Sequence, residues 1–379
     1  MDVNNYTDSS CSQFDIPVVM IVFRRLDLVK QIFQAVRQLK PLKLYIISDG
    51  PRNEKEAAQV QAVRDYIEQG VDWNCQLNKN YADKNIGLRF RMPTGVDWVF
   101  EKEDKAIFLE DDILPAQSFF WFCRDMLNRY DDNPDVMMVS GMNVYPEHPA
   151  FGSQDIIFSR IPLTWGWATW KRAWERFDVT ISSWRNLDSK KKLKKILTPK
   201  AYKFFVNIYD DLQYQWINDA WDYQWEYAMF MNDGVGIIPK YNMIHNLGMN
   251  TEGAEHIGDS DQKEQMISGL PVCDMVLPVS MPANISVCED YEIKFQNEFY
   301  PKTGFIKYLK LVWRAYLNNQ AYKIIQEMEK DQYYIENILD DRYKLDDEGR
   351  KYYRGQIYRQ ISGRDLRVSA KEYKKYKRK

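Results

Sequence analysis

The stretch Ile107-Phe108-Leu109-Glu110-Asp111-Asp112-Ile113-Leu114-Pro115 joins a short apolar run to three consecutive carboxylates and then to a proline. This order predicts a buried strand, Ala106–Leu109, that ends in a charged tip, followed by a helix over Pro115–Tyr130. Adjacent acids repel one another unless water, a cation or positive groups offset the repulsion. Two interpretations follow. The acids bind a divalent cation together with substrate phosphates, or Asp111 and Asp112 merely favour the positive end of the next helix.

Apolar runs and amphipathic segments alternate on both sides of this tip. The other predicted strands are Ile16–Phe23, Leu44–Ser48, Cys75–Tyr81, Val136–Ser140 and Gly234–Pro239. The segments between the early strands have apolar residues at helical spacing. This alternation of strands and helices predicts an α/β fold with a mostly parallel, Rossmann-like open sheet flanked by helices. Ligands of such sheets bind at the carboxyl ends of the strands. Phe23-Arg24, Asp49-Gly50 and Glu110–Asp112 all follow strands, so we expect them to share a site.

Composition narrows the class of protein. The chain is 45% hydrophobic and 28% charged, which is typical of a soluble globular protein. Its length of 379 residues predicts one large domain with an appendage, or two domains. No apolar run is long enough to span a bilayer, and Met1–Asp15 lacks a signal-peptide pattern, so we expect a cytoplasmic protein. Five scattered cysteines indicate reduced thiols. A net charge of −2 argues against nucleic acid as a partner.

The chain resembles the nucleotide-sugar-dependent glycosyltransferases of the GT-A fold. It looks most like bacterial family 2-type transferases, and its Glu-Asp-Asp motif is similar to that of N-acetylglucosaminyltransferase I and its relatives. The resemblance covers roughly residues 15 to 258. The residues that carry it are Ile16–Phe23, Ser48-Asp49-Gly50-Pro51, Asn85-Ile86-Gly87, Glu110-Asp111-Asp112 and Gly166-Trp167-Ala168-Thr169-Trp170.

The resemblance implies a metal-dependent donor site. Asp112 would ligate Mn2+ or Mg2+ between the two donor phosphates, while Glu110 and Asp111 would contact the ribose and the sugar. Several enzymes of this fold complete the metal shell with a late histidine, and His256 stands in the corresponding place. A lone histidine without such a role is the alternative.

The resemblance also implies a nucleoside pocket. Asp49 would hydrogen-bond the base, and Phe23 and Arg24 would line the pocket. Arg89 and Arg91 are candidates for the diphosphate, because guanidinium forks suit phosphate oxygens. Solvated loop charges are the alternative for both arginines.

An inverting transfer needs a base that takes the proton of the acceptor hydroxyl. Asp222 and Glu226 lie four residues apart on one predicted helix face among aromatic residues. The resemblance implies Asp222 as the base, because relatives carry a Trp-Asp-Tyr-Gln-Trp-like segment in the acceptor region, with Glu226 as its supporting partner. A helical acid paired with a cation is the alternative. Aromatic residues make up 15% of the chain. Trp165, Gly166 and Trp167 would form a stacking wall for the acceptor sugar, with core packing as the alternative.

The predicted organisation has three parts. Residues 1–15 are loosely held, residues 16–260 form the GT-A catalytic domain, and residues 261–379 form a largely helical extension with a basic tail. The nucleotide-sugar half of the catalytic domain covers 16–145, and the acceptor half covers 146–260. The predicted amphipathic helix Gly304–Lys330 docks on the catalytic domain or, with the basic Lys371–Lys379, contacts the inner face of a membrane.

The resemblance, together with these residues, implies an inverting, metal-dependent glycosyltransferase. The donor would be a UDP-sugar, such as UDP-GlcNAc or another UDP-hexose, and the acceptor a glycan or a lipid-linked sugar in bacterial surface polysaccharide synthesis. A sugar-nucleotide nucleotidyltransferase is the nearest rival enzyme, although a glycine-rich loop usually follows the first strand of such enzymes and Phe23-Arg24-Arg25-Leu26 stands there instead. A non-catalytic carbohydrate-binding protein would explain the aromatic residues but not the acids on this sheet.

Overall fold

A computed structural model describes residues 13–214, 220–248, 267 and 269–300, together with scattered positions between 313 and 377. The strands of this part are β1 (Val18–Val22), β2 (Lys43–Ser48), β3 (Gln76–Tyr81), β4 (Lys105–Glu110), β5 (Ile113–Pro115), β6 (Val136–Ser140), β7 (Ile156–Ser159), β8 (Trp167–Trp170), β9 (Val235–Pro239), β10 (Ile244–Asn246), β11 (Arg350–Tyr353) and β12 (Gln356–Arg359). The helices are α1 (Leu26–Leu39), α2 (Glu54–Gly70), α3 (Leu88–Phe100), α4 (Gln117–Arg129), α5 (Lys171–Trp174), α6 (Leu187–Ile196), α7 (Pro199–Tyr214), α8 (Asp222–Met231) and α9 (Glu289–Phe299).

Eight of the described strands form one mixed sheet in the order β3-β2-β1-β4-β8-β6-β9-β7. Strand β1 pairs in parallel with both β2 and β4, and β2 pairs in parallel with β3. Strand β8 runs antiparallel between β4 and β6. The chain thus runs outward from β1 to β3 and then returns to the other side of β1. Such a reversal of strand order opens a ligand crevice at the carboxyl ends of the two strands beside it, which here are β1 and β4.

The central strands form because their sequences are apolar on both faces. All five residues of β1 are buried, and residues 106–109 of β4 are buried as well. Continuous apolar runs of this kind are typical of parallel strands covered by helices on both sides. Helix α1 covers β1 with side chains that each contribute about 1.5–3 kcal/mol on burial. These side chains are Leu28, Val29, Ile32, Phe33 and Val36. The predicted α/β fold with a Rossmann-like sheet is confirmed at this level.

Two local features differ from the sequence predictions. Pro115 does not open a helix: it ends the short strand β5, which pairs antiparallel with β10, and α4 begins only at Gln117. Phe14 falls in the segment predicted to be loosely held, yet it is 1% exposed and packs edge-on against Phe120 and Trp121. An aromatic side chain of that size adds substantially to the core.

The chain divides into two compact units. The first consists of Met1–Gly87, Arg91–Phe177 and Ala228–Ile293 and contains the large sheet; the second consists of Leu88–Phe90, Asp178–Tyr227 and Lys294–Lys379. The predicted boundaries at 145/146 and 260/261 do not coincide with these units. The extension was predicted to be largely helical, but its strands β11 and β12 form an antiparallel pair. Most of Gly304–Lys330 lies outside the described residues.

The second unit has its own aromatic core. Phe205 and Tyr209 on α7 stack with ring centroids 5.4 Å apart, and Tyr209 meets the ring of Trp184 at 5.2 Å. The indole nitrogen of Trp184 donates to Asp210 at 2.8 Å. Across the described part of the chain, no helix combines the length and the apolar character that crossing a bilayer requires.

Candidate functional site

The acid tip lies at the carboxyl end of β4, beside the end of β1. Glu110 is the last residue of β4 and is in register with Ile21 of β1. Asp111 and Asp112 follow in the turn that leads to β5. Asp111 is only 5% exposed. The reversal of strand order therefore brings two poorly hydrated carboxylates to the crevice between β1 and β4.

Arg25 neutralises this tip. Its Nε donates to Oδ1 of Asp111 at 3.1 Å, and its Nη2 donates both to that same oxygen and to Oδ2 of Asp112, the latter at 2.9 Å. The backbone N–H of Phe23 donates to the other oxygen of Asp111 at 3.3 Å. The mutual repulsion of the acids is thus offset by a guanidinium from the end of the neighbouring strand. The sequence predictions did not assign Arg25 to the site.

The pKa values reflect this arrangement. Burial lowers the pKa of Arg25, but the charges of Asp111 and Asp112 and their hydrogen bonds outweigh burial, so the pKa is raised overall. Burial raises the pKa of Asp112; the charge of Arg25 opposes that shift, and the charge of Asp111 adds to it. The charge of Arg25 therefore favours the ionised form of Asp112.

A second segment of the first unit covers the tip. The backbone N–H of Leu247 donates to the carbonyl of Asp112 at 2.8 Å. One residue later the chain passes so close that a Cβ on Gly248 would lie 2.2 Å from Oδ2 of Asp112 and 3.1 Å from Nη1 of Arg25. Only glycine permits this approach without displacing the carboxylate. Gly248 is another residue that the sequence predictions did not assign to the site.

The acid tip fits a hard divalent cation in its chemistry. Oxygen atoms of Asp111 and Asp112 converge on a single cationic nitrogen, and carboxylate oxygens are the ligands that Mg2+ and Mn2+ prefer. Within the described residues, no group of three or more His, Cys, Asp or Glu side chains is placed to hold a metal ion. A cation here would therefore need phosphate oxygens and water to complete its shell. The predicted ligand His256 lies outside the described residues.

Asp49 lies at the carboxyl end of β2 and is 7% exposed. Its carboxylate accepts from the backbone N–H groups of Gly50 at 2.9 Å, of Ile86 at 3.1 Å and of Gly87 at 3.0 Å. Burial raises the pKa of Asp49, and these backbone hydrogen bonds and the charge of Arg91 oppose the shift only in part. Asp49 thus ties the loop before α3 to the end of β2.

Phe23 and Arg24 form a second cluster at the end of β1. The guanidinium groups of Arg24 and Arg52 lie 5.8 Å and 5.5 Å from the centre of the Phe23 ring. Both arginines also pair with Glu56, which is 4% exposed. Hydrogen bonds from Arg52 are the main reason that the pKa of Glu56 falls to about 2. The cluster presents a partly exposed ring and two fixed positive charges.

Arg89 and Arg91 are both buried. Arg89 is fully buried, and its Nη2 donates to the carbonyl of Val179 at 3.1 Å. Arg91 is 6% exposed and donates to Oδ1 of Asn80 at 2.8 Å, and burial lowers its pKa to about 10. These buried contacts hold backbone and side chains of the protein itself. The role of the two arginines toward the diphosphate stays a prediction.

Trp165, Gly166 and Trp167 divide between core and surface. Trp167 begins β8 inside the sheet, is 1% exposed and stacks on Phe108 with ring centroids 4.6 Å apart, so it belongs to the core and not to an acceptor wall. Gly166 has a φ of 62°, and a Cβ there would lie 2.3 Å from Cδ1 of Ile244 in β10. Trp165 is half-buried. The turn before β8 therefore packs against β10, the strand paired with the one that follows the acid tip.

Asp222 and Glu226 belong to α8 in the second unit. Asp222 stands in the first turn, where the helix favours negative charge. Burial, with a further contribution from the charge of Asp222, raises the pKa of Glu226 well above its usual range, and the Tyr300 hydroxyl lies 3.4 Å from Oε1 of Glu226. The surroundings of Glu226 therefore favour its protonated form.

Comparisons with known proteins add little. No protein-family model and no curated protein sequence matches this chain. Among solved structures, mouse xyloside xylosyltransferase 1 in its apo form aligns at 9% identity and a TM-score of 0.30, over 48% of this chain and 75% of that one. A UDP-glucose pyrophosphorylase complexed with UDP-glucose aligns at 12% identity and a TM-score of 0.20, over 38% of this chain and 62% of that one. Both likenesses are too distant to carry an argument about function.

Proposed function

We propose that this protein is a nucleotide-sugar glycosyltransferase of the GT-A fold. The observation that carries the proposal is the cluster of Arg25, Asp111 and Asp112 at the reversal of strand order between β1 and β4. Open α/β sheets bind nucleotides at such a point. Carboxylates and phosphates repel each other. Two poorly hydrated carboxylates at this point can therefore bind a diphosphate only when a cation lies between the carboxylates and the phosphates.

The donor half of the mechanism uses the ends of β1, β2 and β4. Asp112, with Asp111 beside it, would hold Mn2+ or Mg2+, which would neutralise the diphosphate as it leaves the sugar. Glu110, the residue before them, would contact the ribose and the sugar. Phe23 offers a ring face to the base, flanked by the guanidinium of Arg24. Asp49 fixes the adjoining loop and has lone pairs that can accept from uracil N3–H.

The acceptor half of the mechanism needs a base that is ionised when the acceptor binds. Asp222 suits this role because it stands in the first turn of α8, where the helix dipole stabilises negative charge, whereas burial raises the pKa of Glu226. Two acids whose surroundings separate their protonation states are a common arrangement for acid and base catalysis. Asp222 would then take the hydroxyl proton in an inverting displacement, and Glu226 would support it.

The remaining assignments concern the substrates and the place of action. Trp165, the half-buried residue of the turn before β8, is the stacking surface that we propose for the sugar. The donor would be UDP-GlcNAc or another UDP-hexose, and the acceptor a glycan or lipid-linked sugar of a bacterial surface polysaccharide. The reaction would take place in the cytoplasm or at the inner face of the membrane, with Gly304–Lys330 and Lys371–Lys379 as the contact.

A screen of nucleotide sugars for slow donor hydrolysis tests the proposal. Each sugar is incubated with the protein and with Mn2+, Mg2+ or a chelator, and released nucleoside diphosphate and pyrophosphate are measured separately. Metal-dependent release of UDP from one UDP-sugar, lost in Asp112→Ala, is the expected result. Pyrophosphate chemistry would instead identify a nucleotidyltransferase, and sugar binding without turnover would identify a carbohydrate-binding protein.

A further inference from the structure

Arg25 occupies the position in the acid tip where the two carboxylates converge. One of its nitrogens, Nη2, contacts both Asp111 and Asp112. The side chain of Arg25 is 26% exposed, and those of the two acids are 7% and 17% exposed. Water therefore does little to screen these charges, and the counter-charge of the acids comes from the protein.

The backbone of Arg25 is fixed at the start of α1, and its side chain reaches the tip from there. The Arg25 carbonyl accepts from the N–H groups of Leu28 and Val29 at the start of α1, at 3.1 Å and 3.0 Å. Beyond this anchor, the side chain has several rotatable bonds and ends in a planar fork. That fork matches phosphate oxygens as well as it matches carboxylates.

We propose that Arg25 is an internal counter-ion that competes with the divalent cation for Asp111 and Asp112, and that turns to the donor diphosphate when the cation enters. The inference rests on the proposed function, because it concerns the same acid tip. A doubly charged ion on an Asp112 oxygen would lie a few ångströms from Nη2, and such like charges repel. The tip would accordingly bind metal weakly on its own and more tightly once a diphosphate draws Arg25 away.

The test measures binding of Mn2+ alone, without nucleotide, by electron paramagnetic resonance of the free ion. Wild type is compared with Arg25→Gln, which removes the competing charge, and with Arg24→Gln, which removes an equal charge one residue away. Arg24 pairs with Glu56, so Arg24→Gln controls for the loss of a positive charge near the tip. We expect Arg25→Gln to bind Mn2+ at least about 10-fold more tightly than wild type, and Arg24→Gln to stay within about 3-fold.

Two results would overturn the proposal. One is an unchanged or weakened Mn2+ affinity in Arg25→Gln, including the absence of binding to either protein; the other is an equal gain in Arg24→Gln. If Arg25→Gln does not fold, Arg25→Lys replaces it, because a single ammonium cannot reproduce the fork between two acids. Arg25→Lys should then bind Mn2+ about 3-fold more tightly than wild type, and wild-type affinity would overturn the proposal.

A separate measurement keeps this inference distinct from the proposed function. Calorimetry with UDP and excess Mn2+ reports whether the protein binds the nucleotide at all. UDP binding together with an unchanged Mn2+ affinity in Arg25→Gln would reject the role of Arg25 and leave the proposed function standing. If Arg25→Gln binds Mn2+ more tightly but wild type does not bind UDP, the competition between Arg25 and the cation stands and the proposed donor is rejected.

Discussion

Replacing Gly248 with alanine should disable the acid tip without unfolding the protein. The new Cβ would lie 2.2 Å from Oδ2 of Asp112 and 3.1 Å from Nη1 of Arg25. Non-bonded heavy atoms normally stand about 3.5 Å apart, so the carboxylate or the backbone at Leu247-Gly248 has to move by about 1 Å. Overpacking of this kind costs about 1–3 kcal/mol of stability. A displacement of about 1 Å at a reacting centre lowers the rate by about 10²-fold.

The assay for this prediction is metal-dependent donor hydrolysis, with thermal melting measured in parallel. Gly152→Ala is the matched control: Gly152 has a φ of 50° with open space around its Cβ position, so alanine there costs stability through backbone strain alone. Gly152 has a ψ of −120°, which is outside the left-handed helical region, so we expect about 1–3 kcal/mol of destabilisation in this control, with an unchanged rate. The reasoning fails if Gly248→Ala hydrolyses donor at the wild-type rate, or if the control loses as much activity.

Further predictions concern the acids of the two units. Asp112→Ala should nearly abolish turnover. Asp112→Asn should retain a low activity, and a higher Mn2+ concentration should restore part of the lost activity. Full activity of Asp112→Ala in the presence of a chelator would contradict the metal assignment. Asp222→Asn should bind UDP normally and transfer sugar about 10²–10⁴-fold more slowly, whereas a Glu226→Gln variant that binds UDP but cannot transfer would move the base to Glu226. Because burial raises the pKa of Glu226, its protonated form stabilises the fold fully below the ordinary pKa of 4.5, and this contribution is lost as pH rises through the folded-state value. Glu226→Gln should therefore be more stable than wild type at alkaline pH but not at acid pH. A difference in melting temperature between the two proteins that stays the same at every pH would reject this prediction. Calorimetry should find UDP bound more tightly than CDP or GDP if Asp49 accepts from uracil N3–H, and equal affinities would remove that role.

The parallel half of the sheet could be predicted because its strands carry their signal locally. Strands β1, β2 and β4 are buried on both faces, so their sequences are continuous apolar runs that alternate with amphipathic helices. The end of an apolar run then identifies the end of a strand. The positions of Asp49 and of Asp111-Asp112 at strand ends followed from the same signal.

Pairing between distant segments could not be predicted in the same way. Strand β5 exists because β10, more than 120 residues later, pairs with it, and a proline after an apolar run predicts a helix just as well. Trp167 shows the same limitation: its ring is equally suited to stacking on a sugar and on Phe108, and only the insertion of β8 beside β4 decides between them.

The role of Arg25 depends on a contact across the sheet. The sequence separates it from Asp111 by 86 residues, and the parallel pairing of β1 with β4 brings them together. An arginine after a strand gives no indication of its partner, since a solvated loop charge looks the same. The buried settings of Arg89 and Arg91 were missed for the complementary reason, because arginines are seldom expected inside a core.

The most direct test of the donor site is a crystal structure of the protein with Mn2+ and UDP, with the ion located by its anomalous scattering. The account predicts a manganese peak about 2.1 Å from a carboxylate oxygen of Asp112, bridged to the diphosphate, with the uridine lying against Phe23 and Asp49. A nucleotide bound away from the ends of β1 and β4, or a manganese ion without contact to Asp112, would contradict it.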